Sequence, residues 1–275
     1  SVTGVQTCAL PISKCQFRLK DAVQYFNLNW HLDDSKKGIL ADEISKLTEI
    51  KLLSLSEVPA RDGYSTSQIS YFNDEKEYSV QAHQKYVDEH YISLFGLKLT
   101  AGQNLTKSDT IKEFLVNESF AKAIGFNKPE KAVGKFLDYY DSHGTKTKFP
   151  IVGVLKDFNF LSLHNKIEPM FLASRPQYAR NISFLSTSLE KDKRQALQSQ
   201  IHAIYKKIFP NEMVMPEIGF YSKVFEQFYE TETRLAKLLN TVTAIAILIS
   251  CMGLFGLVVF ATQQRAKEIG IRKVL

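Results

Sequence analysis

The amino-acid sequence predicts an α+β domain that continues into one long helix, the far part of which becomes a membrane span. Three observations predict it. After about residue 14, short strand-like runs alternate with helix-like runs and turn residues. Lys191 to Phe209 places Leu197, Ile201, Ile204, Tyr205 and Ile208 on one side of a helix. From Leu238 to Gln264 no residue is charged, and Lys237 and Arg265 bracket that run.

Each element has its own signal. Val2 to Ile12 resembles the conceptual translation of a sequencing-library adapter, so residues 1–13 are set apart from the fold. They lack a charged n-region followed by an apolar h-region, so they do not read as a signal peptide. Leu40 to Leu47 has a short helical pattern, and Lys51 to Val58 alternates like a strand before Pro59. Glu77 to Ala82 reads as a further strand. In Tyr91 to Leu99, Phe95-Gly96 marks a helix stop followed by a return. Lys112 to Asn117 is strand-like, and Glu118 to Ile124 is a helix ended by Gly125. Phe149 to Leu155 is the best candidate for a buried strand, with Pro169 to Ala173 and Ile182 to Thr187 expected to pair near it. A last helix begins near Ser222 and carries Val224, Phe225, Phe228, Leu235 and Leu238 on its apolar positions. No proline or glycine separates it from the uncharged run. One helix from Ser222 to Thr262 is therefore expected, about 60 Å long at 1.5 Å per residue.

Composition excludes several classes. With 44% apolar and 23% charged residues in 275, the chain is neither disordered nor collagen-like. The net charge of +6 raises nucleic-acid binding, but the basic residues are dispersed in short runs such as Lys36-Lys37 and Lys206-Lys207. No arginine-rich arm, aromatic RNP pair or zinc-finger spacing accompanies them, so no nucleic-acid partner is expected. Three cysteines, Cys8, Cys15 and Cys251, leave Gln16 to Ser250 to fold by core burial alone.

Catalytic and cofactor signals are absent from the sequence. Gly134-Lys135 is followed by Phe136 and lacks the upstream glycine of a phosphate-binding loop. There is no Gly-x-Ser-x-Gly, no Cys–His arrangement for a nucleophile and no metal spacing among the six histidines. Asp157 and His164 lie close in sequence, as an acid–base pair would. The preferred reading is a turn after a strand, with Asp157 bonding nearby backbone amides. Asn104, Asn117 and Asn181 begin N-x-[ST] triplets, and Asn117 is expected at a strand end. No catalytic, cofactor-binding or metal-binding residue is assigned, and no cofactor is expected.

The uncharged run spans 27 positions and reaches about 40 Å as a helix, against a hydrocarbon core of about 30 Å. Arg265, Lys267, Arg272 and Lys273 crowd its C-terminal flank, which favours a cytoplasmic C-terminal side. Ala246, Ser250 and Gly253 recur at spacings of four and three, so one face of the span is small enough for another helix to approach.

Two stretches resemble one family. Ile151-Val-Gly-Val-Leu-Lys-Asp-Phe-Asn-Phe-Leu-Ser-Leu-His-Asn-Lys-Ile-Glu-Pro169 resembles the end of the extracytoplasmic domain of FtsX-like, MacB-like ABC transporter permeases, in the form common in Bacteroidetes. Leu248-Ile-Ser-Cys-Met-Gly-Leu-Phe-Gly-Leu257, followed by Gln264-Arg-Ala-Lys-Glu-Ile-Gly-Ile-Arg-Lys-Val-Leu275, resembles the next membrane helix and its cytoplasmic exit. Tyr91 to Leu105, Phe114 to Gly125 and Pro129 to Lys135 fit the same pattern.

The resemblance implies porter-like βαβ elements plus a smaller mixed subdomain, held between membrane helices. It divides the chain into a periplasmic domain over 14–235, a transmembrane helix over 236–263 and the start of a cytoplasmic coupling segment over 264–275. It implies a cytoplasmic ABC ATPase subunit as partner, with Arg265, Lys267, Glu268, Ile269, Gly270, Ile271, Arg272 and Lys273 docking on it. A basic anchor at the lipid headgroups is the plainer reading of the same residues. A second permease copy or repeat and membrane lipid complete the expected surroundings, in a bacterial inner membrane. The chain is then expected to be a fragment lacking the preceding helix and the later ones. The implied function is coupling of ATP hydrolysis in the partner to a change of shape in the periplasmic domain, for substrate export or release. An alternative from another class is a single-pass, membrane-anchored ligand-binding or sensor module.

Overall fold

The computed structural model describes residues 23–29, 31–57, 65–73, 76–141, 144–158, 166–188 and 190–274, with side chains in the last helix described at 221 and 234–262. Two compact units divide the chain, the first ending at Phe225 and the second comprising the helix from Glu226 onward. The first unit opens with β1 (Gln24–Asn27), α1 (Asp34–Ser45) and β2 (Ile50–Ser56). Then come β3 (Ser65–Asn73), β4 (Lys76–Val87), α2 (Tyr91–Phe95), β5 (Leu99–Gly102), β6 (Phe114–Asn117) and α3 (Glu118–Ala123). β7 (Phe136–Tyr140), β8 (Lys146–Leu155), β9 (Met170–Ser174), β10 (Asn181–Ser186), α4 (Lys191–Ile208) and β11 (Gly219–Phe220) precede α5 (Tyr221–Val274).

Four strands form one sheet in the order β11-β1-β10-β2, antiparallel at every pairing. β1-α1-β2 and β10-α4-β11 are therefore two interleaved βαβ units, the split arrangement of a ferredoxin-like half. Alternation explains which face is apolar. Phe26, Ile182, Phe184, Leu53 and Leu55 point to one side and pack on Leu40 and Ile44 of α1 and on Leu197, Ile201 and Tyr205 of α4. The reverse side carries the small polar residues Ser54, Ser56 and Ser183, all buried.

Everything between β2 and β10 is an insertion with its own core. Its strands follow the order β5-β8-β6-β9-β4-β3-β7, and β7 also pairs with β8, so six of them close into a ring. β8 permits closure because it is ten residues long. Lys146–Pro150 pairs with β7, and Ile151–Leu155 pairs with β6 and β5. Where β5 meets β8 the backbones nearly touch. Gly102 has φ +76°, and a Cβ there would lie 2.2 Å from the Val152 carbonyl oxygen. Gly153 allows the same approach, since its Cβ would lie 2.4 Å from the Gln103 oxygen. Inside the ring the Phe114 ring meets Tyr139, Phe149 and Phe171 edge-on at 5.7, 5.3 and 5.0 Å. Each such pair contributes about 0.5–1.5 kcal/mol beyond its buried area.

Asn117 does lie at a strand end, and it is buried there. Its Oδ1 accepts from the Phe120 and Met170 amides at 2.9 and 3.0 Å, and its Nδ2 donates to the Glu168 carbonyl at 2.9 Å. It thus caps α3 and ties that helix to β9. Asp157 accepts from the Ser119 amide at 2.8 Å and its hydroxyl at 2.7 Å, a backbone-bonding role across the turn of α3. His164 lies outside the described residues.

One expectation about pairing is corrected. Ile182–Thr187 does not pair near Phe149–Leu155, because β10 belongs to the four-stranded sheet, where Ile182 and Phe184 complete the α1–α4 core. The run Pro169 to Ala173 does pair near Phe149–Leu155, because β9 pairs with β6, the neighbour of β8, and with β4 on its other edge. The last helix is also longer than expected. It runs through Val274, since Gln263 to Val274 holds good helix formers and only one glycine, Gly270. At 1.5 Å per residue its 54 residues span about 80 Å.

Arg234–Thr262 of α5 is long and apolar enough to cross a membrane, and its side chains are exposed throughout. Its hydroxyls are satisfied within the helix. Thr241, Thr243, Ser250 and Thr262 each donate to the carbonyl four residues earlier at 2.8–2.9 Å. That removes the cost of carrying hydroxyls into hydrocarbon.

Replacing Asn117 with alanine leaves two buried amides and one carbonyl without their partner. Asn117→Ala is expected to destabilise the first unit by about 2–4 kcal/mol, read as a lowered urea midpoint by near-ultraviolet circular dichroism. An unchanged midpoint contradicts the capping role.

Candidate functional site: the helix root and the polar junction

Among the described residues no group of three or more His, Cys, Asp or Glu side chains is placed to hold a metal ion. The built features of the domain are two, and both concern how parts are joined. The first is the root of α5. β11 pairs with β1 through Gln24↔Phe220 and Tyr25↔Gly219, which brings the chain to Tyr221 beside the start of β1. The Tyr221 amide donates to the Val23 carbonyl at 2.9 Å. The Tyr221 side chain is completely buried, edge-on to Tyr25 at 5.7 Å and tilted on Phe95 at 5.5 Å, with Tyr91 4.9 Å from Phe95. Phe95 is in place because α2 buries four of its five residues and stops at Gly96, whose φ of +66° is the left-handed cap the sequence signalled.

The second feature is the polar junction between the four-stranded half and the ring. Asp88, just past the end of β4, accepts from the Ser54 hydroxyl at 2.6 Å and from the Leu55 amide at 2.7 Å. Burial pushes its carboxyl above the usual range, against the opposing pull of those two hydrogen bonds. The Glu57 amide donates to the Tyr86 carbonyl at 3.0 Å where the chain crosses into the ring. Lys85 is buried, and desolvation pushes its ammonium down to about 7, opposed by the Glu57 carboxylate. Lys37 of α1, also buried, donates to Asp34 at 2.6 Å and to the Gln177 carbonyl at 3.3 Å, a contact with the second crossover.

The residues assigned from sequence lie on α5. Arg265, Lys267, Glu268, Ile269, Gly270, Ile271, Arg272 and Lys273 occupy its last turns as continuous helix, which sets Glu268 and Arg272 four apart on one face. Their side chains lie outside the described ones. Ala246 and Ser250 are linked by the 2.8 Å bond from the Ser250 hydroxyl to the Ala246 carbonyl, and a Cβ at Gly253 would meet nothing within 4 Å. Sequence reasoning missed Tyr221, Asp88 and Lys85. The signal that could have found Lys85 is a lysine inside the strand run that continues past Ala82; Tyr221 gives none.

In solved structures this architecture recurs. The chain is similar to the periplasmic region of MacB from Actinobacillus actinomycetemcomitans at 17% identity and a TM-score of 0.51, over 78% of this chain and 96% of that one. The fold is that of the MacB periplasmic region. A domain assigned to a permease protein from Porphyromonas gingivalis matches at 17% identity and a TM-score of 0.50, over 74% of this chain and 91% of that one. No protein-family model matches the sequence, and neither does any curated protein. The MacB-like fold accounts for the split βαβ half, the inserted ring and the placement of the junction between them.

Lys85 makes the junction pH-sensitive. Its ammonium is less favoured folded than unfolded, so the unfolded chain binds more protons and stability rises with pH from about 7 toward the ordinary lysine value near 10. The urea midpoint is expected to climb between about pH 7 and about pH 9. Lys85→Met should be more stable at pH 7 and lose most of that climb. Parallel pH profiles for the two proteins contradict this account of Lys85.

Proposed function

We propose that the chain is part of a permease subunit of an ABC transporter of the MacB and FtsX mechanotransmission type. The observation that carries this reading is the join of a MacB-type domain, without a break in the helix, to an exposed segment over 234–262 that is long and apolar enough to cross a membrane. The domain, over about 14–235, faces the periplasm. Residues 236–263 cross the inner membrane, and 264–275 begin the cytoplasmic coupling segment. In this reading ATP is hydrolysed by a cytoplasmic ABC ATPase subunit that acts as the partner of the permease. Nucleotide binding there biases two states of the permease, and the periplasmic domain changes shape as substrate is exported or released. The Ala246, Ser250 and Gly253 face meets a helix of a second permease copy or repeat, with lipid around the rest.

Docking on the ATPase falls to Arg265, Lys267, Glu268, Ile269, Gly270, Ile271, Arg272 and Lys273. Substituting both Glu268→Ala and Arg272→Ala in the intact permease should reduce co-purification of the ATPase subunit by about tenfold or more, with membrane insertion unchanged. Undiminished co-purification overturns the docking assignment. An intact gene that continues into a signalling domain and has no ATPase gene beside it overturns the permease reading in favour of a single-pass sensor.

A further inference from the structure

The ring has a gap in its wall. β3 pairs with β4 along its whole length, from Ser65↔Gln84 to Asn73↔Lys76. It pairs with β7 only at Ile69↔Tyr139 and Ser70↔Asp138. Among the described residues, Ser65 to Gln68 therefore have a strand on one edge only. A cavity of about 840 Å³ opens where β3 and β7 part, lined by Ser65, Ser67 and Gln68 and by Tyr140, Tyr178 and Arg175. Its volume lies within the range of ligand sites.

Among the described residues Arg175 is the only cation on that lining. Its guanidinium stacks over the Tyr178 ring at 4.1 Å and lies 6.0 Å from the Tyr86 ring centre. Burial pushes the Tyr86 hydroxyl up to about 12, with Arg175 pulling the other way. Gln84, buried, reaches the Tyr139 hydroxyl at 3.5 Å and accepts from Ser67. Among the described residues no carboxylate lies within ion-pair distance of Arg175. A planar cation held in one orientation and lacking an acid partner fits a carboxylate supplied from outside.

We propose that the free edge of β3 and Arg175 form a binding site for an extended acidic peptide segment of another protein. The peptide adds as a strand to Ser65–Gln68, where β7 has turned away, and one of its carboxylate side chains pairs with Arg175. Backbone bonds to the strand edge supply affinity, and Arg175 with its tyrosines supplies the preference for acid. Edge strands usually carry lysine, proline or a bulge that discourages such pairing. Ser65-Thr66-Ser67-Gln68 carries no lysine or proline. Glu77 and Asp141 on the same lining disfavour a second acid near them, which confines the charge match to the Arg175 end. The site does not rest on the permease assignment.

The test uses the full chain in lipid nanodiscs and a blocked hexapeptide, acetyl-Val-Glu-Val-Glu-Val-Glu-amide, which offers an acid in any register. At about 1 mM it should slow hydrogen exchange of those Ser65–Gln68 amides that point away from β4 by about tenfold. The matching Val-Gln peptide should give little protection, and Arg175→Gln should remove the difference between the two. N-methylation of alternate backbone amides should abolish protection. Three results overturn the proposal: no protection by the acidic peptide, equal protection by the Gln peptide, or equal protection by free glutarate, which cannot form a strand.

Discussion

The hydrogen bond from the Tyr221 amide to the Val23 carbonyl, with the Tyr221 ring buried beneath it, fixes where the long helix begins. β11 is only two residues long and contributes little pairing by itself. What holds it is the aromatic set of Tyr25, Phe95 and Tyr221, which cannot separate without exposing a fully buried ring. Truncating such a ring typically costs about 3–5 kcal/mol. The first residue of α5 is thus a core residue of the first unit. A helix rooted in a core cannot shift at its base without disturbing β1 and α2, and this property would let a displacement enter the domain.

The split βαβ topology places that root at one edge of the four-stranded sheet. β1 lies between β11 and β10, and β10 is where the chain returns from the ring. Both crossovers between the half and the ring leave the sheet from β2 and β10, which are neighbours. At the far side the joint is polar. Asp88 is bonded to Ser54 and Leu55, and Lys85 and Glu57 oppose burial with charge. Polar joints of this kind fix geometry while adding little net stability, because desolvation offsets much of the attraction. The apolar cores on either side are separate clusters.

Much of this architecture was legible from residues. α4 showed its apolar stripe at helical spacing, and the stops at Gly96 and Gly125 reflect positive φ values of 66° and 94°. The uncharged run after Lys237 announced its helix. β3 was not legible, because Ser65 to Gln68 are polar on both faces where the strand lines an open cavity. β11 is too short for any periodicity. The partner of β10 could not be read either: alternating apolar residues state which face is buried but not against which core. The root at Tyr221 depends on contacts with residues 25 and 95, far away in sequence, and no local pattern encodes such a meeting. The coupling residues were assigned from family resemblance, and the helix through Val274 gives them a continuous scaffold.

The central claim, that the base of α5 belongs to the core of the four-stranded half, can be measured by hydrogen exchange resolved to single amides over Tyr221 to Phe225. The account predicts that the Tyr221 amide exchanges as slowly as those of β1, and that denaturant releases both together in one cooperative step. Fast exchange of Tyr221 while β1 stays protected would contradict it, because the helix would then be attached to the domain only by its chain.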